Sequence, residues 1–180
     1  MKFTNSLILA TISAVGMVPL QADTGKVTLP ENYGSRFVRY FSVDKPNADE
    51  PDKTKMRFFY VNPESLAAAE AGQPLPHGTV LIMEDHAVER DAEGNALLDA
   101  SGRLIPAATI TNIFVQEKRS GWGTEYAAEV RNGEWEYAWF DAQGKRREDK
   151  SMDGCFSCHK GAEATDFNFT FSPFVAAIKQ

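Results

Sequence analysis

Basic residues are in the minority and nowhere concentrated: 19 Lys and Arg stand against 25 Asp and Glu, a net charge of −6. Gripping nucleic-acid phosphates needs a basic patch. The only basic runs, Lys118-Arg119 and Lys145-Arg146-Arg147, are too short to supply one and read as solvated strand ends or turns. Nucleic acid is therefore excluded as a partner. Long apolar stretches are also missing. The best, Ser6 to Val18, is too short to span a bilayer as a helix. With Lys2 before it and Pro19-Leu20-Gln21-Ala22 after it, it has the pattern of an export signal over 1–22; an N-terminal anchor that stays attached is the competing reading. Losing Lys2 with the signal leaves 18 basic against 25 acidic residues in a mature chain, 23–180, expected to have no membrane segment. There is no internal repeat or low-complexity tract, and 180 residues are too few for two well-sized domains.

Strands dominate what is present. After an extended or turn-rich entry at Leu29 to Gly34, Arg36 to Val43 alternates apolar and polar residues, and Met56 to Val61 is a second short run rich in aromatics. The charged, proline-bearing segment Asp44 to Lys55 between them is a loop. Asn62-Pro63-Glu64 reads as a helix start with Asn62 as cap, running through Ala71 to a stop at Gly72. Thr79 to Val88, Ile110 to Glu117 and Trp135 to Phe140 are further strands. Turn signals sit at Asp91 to Asn95, Asp99 to Gly102 and Asp141 to Gly144, and Pro173 to Lys179 makes a terminal helix. The pattern predicts an α+β fold, a single domain dominated by an antiparallel β-sheet with a few short helices.

Cysteine and histidine are scarce, at 2 and 3 residues, yet three of the five stand together in Cys155-Phe156-Ser157-Cys158-His159. With Asp153 capping a short helix, Cys155, Cys158 and His159 fall at i, i+3 and i+4 on one face. Two thiols so placed can add to the vinyl groups of a haem while the imidazole reaches the iron, which is the spacing of c-type haem attachment. In an exported chain a Cys155-Cys158 disulfide or thioredoxin-like pair competes, but neither needs His159. A zinc site needs a further ligand from His77, His86 or a carboxylate. The sixth position of the iron decides between electron transfer and small-molecule chemistry. His77, His86, Met56, Met83 and Met152 are the conventional second ligands left after signal removal, and none carries a ligand signature, so a five-coordinate iron is expected.

Leu29-Pro30-Glu31-Asn32-Tyr33, Val61-Asn62-Pro63-Glu64-Ser65, the strand Gly78 to Glu84, Ile113 to Gly123, Asn132 to Tyr137 and Cys155-Phe156-Ser157-Cys158-His159-Lys160 together resemble the cytochrome P-460 family. The resemblance implies a mostly β, homodimeric, periplasmic protein with one covalent haem c per chain near the C-terminus, bound by Cys155, Cys158 and His159, with His159 as the iron ligand. Members like cytochrome P-460 proper oxidise hydroxylamine and cross-link a lysine to the haem. The related cytochromes c′-beta lack the link and bind nitric oxide or similar gases in an aromatic-capped pocket. Met83 stands where the cross-linking lysine is expected, and no lysine occurs between Lys55 and Lys118. Glu117 is the candidate for the family's distal carboxylate, with Gln116 an equal contender, because a one-residue slip reverses the face; an exposed acid at a strand end is the plainer reading. The expectation is a nitrogen-oxide-binding haem protein served by a redox partner protein. A hydroxylamine oxidase and a six-coordinate electron carrier are its alternatives.

Overall fold

The computed structural model describes residues 26–179, so the expected leader at 1–22 lies outside the described residues. The chain runs α1 (Tyr33–Arg36), β1 (Val38–Lys45), β2 (Lys55–Val61), α2 (Pro63–Ala68), β3 (Val80–Val88), β4 (Pro106–Lys118), β5 (Trp135–Phe140), α3 (Asp153–Lys160) and α4 (Phe171–Ile178). The strands form one antiparallel sheet in the order β1-β2-β3-β4-β5, a meander in which each strand pairs with its sequence neighbours. The α+β expectation is met. Among the described residues no helix is long and apolar enough to cross a membrane.

Pairing register divides one sheet face, the front, into cross-strand rows. The inner row is Val61, Leu81, Gln116 and Tyr137. Next comes Phe41, Phe59, Met83, Phe114 and Trp139, which crosses all the strands, and beyond it Arg57, Asp85 and Asn112. Side chains alternate along a strand, so Ile82, Glu84, Ile113, Val115, Glu117, Glu136 and Ala138 face the back. Helices α3 and α4 cover the inner row, where Phe156, Phe171 and Val175 pack with Val61, Leu81, Trp135 and Tyr137. A bulge between Arg39 and Phe41 turns Tyr40 onto α4, its ring 5.1 Å from Phe171 and its hydroxyl bonded to Thr170. Val27 and Tyr33 close the back over Val80, Ile82, Val115 and Ala138.

Three turns share one device. In Asp91 to Asn95, Asp99 to Arg103 and Asp141 to Lys145 the leading Asp Oδ1 accepts the backbone N–H two and four residues on, and a glycine at positive φ completes the turn. Elsewhere tertiary structure overrides local reading. Arg36 belongs to α1, so the first strand starts at Val38. Asn62 is the N-cap of α2 as expected, but its side chain makes no capping bond: its Oδ1 accepts the Val80 N–H at 2.9 Å and its amide donates to Gly78 O, tying the helix start to β3, and α2 ends at Ala68. The basic runs are not simply solvated, because Lys118 is buried and Arg146 and Arg147 lie over the rings of Phe140 and Trp139. Their stems cover apolar surface that a sequence reading assigns to water.

Gly123 is required by a close approach. A Cβ there would meet Gly133 O at 2.7 Å, and its φ is +76°. Gly72 has nearly the same φ, +72°, with nothing within 4 Å. Gly123→Ala is therefore expected to cost about 2–3 kcal/mol and Gly72→Ala ~1 kcal/mol, read by urea denaturation. Equal losses would show that the contact is relieved elsewhere.

Candidate haem site

α3 places the three residues of the late motif. Met152, not Asp153, is the N-cap; Asp153 opens the helix, its N–H bonded to Ser151 Oγ at 3.0 Å and its carboxylate in the first turn, which suits the positive end of the dipole. Cys155, Cys158 and His159 lie within the one helix at i, i+3 and i+4, hence on one side of it. Both thiols are free, Cys155 half-buried and Cys158 exposed. Burial, and then the proximity of Cys158, pushes the Cys155 thiol up.

α3 is anchored through Phe156, which lies on the flank next to His159. Phe156 is 2 % exposed and meets the rings of Tyr126 and Tyr137 edge-on at 5.0 and 4.8 Å. Asn132, fully buried, donates from Nδ2 to Phe156 O and to the Tyr137 hydroxyl, each at 3.0 Å. Burial drives the Tyr137 phenol far above its ordinary range, so the hydroxyl stays neutral. The helix is thus fixed by packing and by a buried hydrogen bond to its own backbone.

His159 stands between Tyr137, 5.0 Å away, and Phe169, 5.2 Å away. Its Nδ1 is 2.7 Å from the carbonyl of Phe167. A carbonyl only accepts, so Nδ1 carries the proton and Nε2 keeps its lone pair. Burial lowers the imidazole's pKa, opposed by the bond to Phe167, so the ring is neutral at pH 7. Phe167 and the preceding Asp166 have φ of 57° and 54°, a left-handed bend that costs about 1–2 kcal/mol per residue. Asp166 Oδ2 holds the bend by accepting from Lys118 Nζ and from the Leu75 N–H, both at 2.8 Å.

About 7 Å outward from the inner row, two residues along each strand, lies the row Phe41, Phe59, Met83, Phe114 and Trp139. Phe41 is 45 % exposed and the other four are partly buried. Phe169, beside His159, is 51 % exposed. Exposed Phe169 beside an imidazole with a free lone pair and two free thiols, with a partly exposed apolar row further out on the same sheet face, fits a flat apolar macrocycle that takes thioether links and a nitrogen ligand. The residues present fit a haem.

Of the candidate second ligands, Met83 alone sits in this row. Met56 is on the back face with Phe58, Val88 and Leu104. Met152 is buried in the core with Phe156. His77 is exposed and bonded to Glu134 at 2.5 Å. His86 also faces back, with Nε2 2.9 Å from Glu84 and Nδ1 3.2 Å from Ala107 O. Glu117 is neither exposed nor on the front: it is 5 % exposed, faces back and pairs with Arg119 at 2.6 Å. Gln116, one residue before it, is the one that faces α3, with its amide on Phe167 O at 3.0 Å beside His159. Among the described residues no group of three or more His, Cys, Asp or Glu converges to hold a bare metal ion, so the zinc reading finds no further ligand.

Sequence reasoning did not single out Asn132, Tyr137 or the Phe167 carbonyl. Asn132 and Tyr137 entered only as the ends of the segment Asn132 to Tyr137 that carried the resemblance, with no role assigned, and a main-chain acceptor leaves no mark in a residue string. Among the curated proteins none matches the chain. The family model described as Cytochrome P460 matches residues 30–170, a span that takes in the sheet, α3 and the His159–Phe167 contact, and the chain belongs to the Cytochrome P460 family of haem-binding cytochromes.

Proposed function

We propose that the chain carries one haem c, joined by thioether bonds to Cys155 and Cys158 and ligated by His159 Nε2, and that the open second side binds small nitrogen oxides such as nitric oxide. The observation that carries this is the single helical turn bearing both free thiols and an imidazole whose Nδ1 is already committed to Phe167 O. A haem held there would supply an iron able to bind and transform small molecules. The chain's own groups do the rest. Phe167 O fixes the His159 tautomer. Phe59, Phe114 and Trp139 exclude water, and Trp139 Nε1 is spent on Asn112 Oδ1 at 2.9 Å, so it offers no spare donor to a ligand. The part of this surface formed by Phe59, Met83 and Phe114 suits a small, weakly polar ligand better than a charged one, while Arg147 and Lys150 lie over Trp139.

The lysines support the same choice over hydroxylamine oxidation. β3 offers Met83 where a cross-linking lysine is expected, and the lysines bracketing that gap are held elsewhere: Lys55 at 2.9 Å from Asp85, Lys118 by Asp166 and Leu75 O. Exported by its leader, the mature domain works in the periplasm as a homodimer with a redox partner protein. The visible spectrum of the reduced protein tests the reading. Broad five-coordinate bands that change on adding nitric oxide are expected; sharp six-coordinate bands indifferent to nitric oxide reject it. Rapid turnover of hydroxylamine with an artificial acceptor would favour the enzyme instead.

Met83 is the one side chain that keeps an electron carrier in play. Met83→Ala is expected to change the reduction potential by less than about 30 mV, a roughly threefold change in a one-electron equilibrium. A shift several times larger, with loss of six-coordinate bands, would identify Met83 as an axial ligand.

A further inference from the structure

The carbonyl that holds His159 is not held by His159 alone. Gln116 Nε2 lies 3.0 Å from Phe167 O, so this one oxygen accepts two donors. Gln116, Asn168 and Phe167 are all under 9 % exposed, and water does not dilute the contact. The orientation of Gln116 follows from obligate donors. Asn168 Oδ1 accepts the backbone N–H groups of Thr170, Phe171 and Ser172 at the start of α4. The Asn168 amide nitrogen therefore points the other way, and it donates to Gln116 Oε1 at 3.3 Å. That leaves Gln116 Nε2 as the group facing Phe167 O.

We propose that Gln116 is a positioning residue that sets the donor strength of His159 by competing for the lone pairs of the Phe167 carbonyl. The inference rests on the haem reading above. A carbonyl shared between two donors accepts each more weakly than one serving a single donor. Sharing limits how far the Nδ1 proton is drawn toward oxygen, and so limits the electron density that Nε2 passes to the iron. Removing the second donor makes His159 the stronger ligand, which stabilises the oxidised iron. The bend itself survives, because Asp166 is anchored separately through Lys118 and Leu75.

The test uses full-length haem-loaded protein and two variants. Gln116→Met keeps length and apolar bulk without a donor; Gln116→Glu keeps the acceptor facing Asn168 and donates to Phe167 O only when protonated. Haem content and thermal melting are read first, then the reduction potential and the iron–histidine stretching band. Gln116→Met is expected to lower the potential by about 59 mV, a tenfold change in a one-electron equilibrium, and to raise the stretching frequency. Gln116→Glu is expected to lower it at neutral pH and to return toward the parent value in acid. A merely structural role would shift the melt and leave the potential and the band in place. If Gln116→Met does not fold, the pH dependence of Gln116→Glu decides. Unchanged or raised potentials in haem-loaded variants overturn the proposal while the haem reading stands. A parent protein without haem overturns both.

Discussion

Cys155→Ser/Cys158→Ser protein, made in a host that matures c-type cytochromes, is expected to lose at least about tenfold of its haem on acid–solvent extraction, whereas the parent loses none. The helix should survive the change. Cys158 is exposed, Cys155 is only half-buried, and α3 is fixed by Phe156 and by the Asn132 amide on Phe156 O. Serine at both places then removes the covalent links with little effect on the seat. His159→Gly separates the other role. Its haem should stay attached through the thiols but lose the axial nitrogen, and added imidazole should restore the parent spectrum by entering the space beside Tyr137 and Phe169. Normal retention of haem in the double serine variant would refute attachment at these cysteines. A parent-like spectrum in His159→Gly without imidazole would refute ligation.

The second large effect lies on the back of the sheet. Glu84 is 4 % exposed and accepts from the Tyr33 hydroxyl at 2.5 Å, the Tyr60 hydroxyl at 2.8 Å and His86 Nε2 at 2.9 Å. Glu84→Ala orphans three buried or half-buried donors at once and is expected to cost about 3–5 kcal/mol, measured by urea unfolding. His86 has acceptors on both ring nitrogens, the carboxylate and Ala107 O, which favours the imidazolium; the bond to Glu84 raises its pKa above the ordinary 6.5. Against burial, which opposes charge, the bonds from His86, Tyr33 and Tyr60 hold Glu84 below the ordinary 4.5. The contribution of Glu84 is full above about pH 4.5 and lost as pH falls through its lowered folded value. That of His86 is full below about pH 6.5 and lost as pH rises through its raised folded value. Stability should therefore peak in mildly acidic solution, with a flatter profile in Glu84→Ala. A parent optimum well above neutral pH would contradict the charged pair.

How much of this could be read from the sequence follows from what each residue advertises. The alternation of Trp135 to Phe140 gave β5 to the residue, and the Asp-x-x-Gly turns announced their hairpins, because both signals are local. The motif in α3 was legible for the same reason. Glu84 and Lys118 were not recognised as buried, since charge reads as exposure until partners from distant segments, Tyr33 and Asp166, are brought beside them. In β4 both faces are packed, so apolar alternation could not say whether Gln116 or Glu117 faces α3; only the pairing of Gln116 with Leu81 and Tyr137 decides it. The Phe167 carbonyl depends on two successive left-handed residues without glycine, a conformation that no propensity favours.

Intact mass, read with the absorption spectrum of the same sample purified from a host competent in cytochrome assembly, tests the central claim most directly. The account expects a coloured protein whose mass is that of the mature polypeptide plus one haem, unchanged by denaturation. A colourless protein with the mass of the polypeptide alone would contradict it.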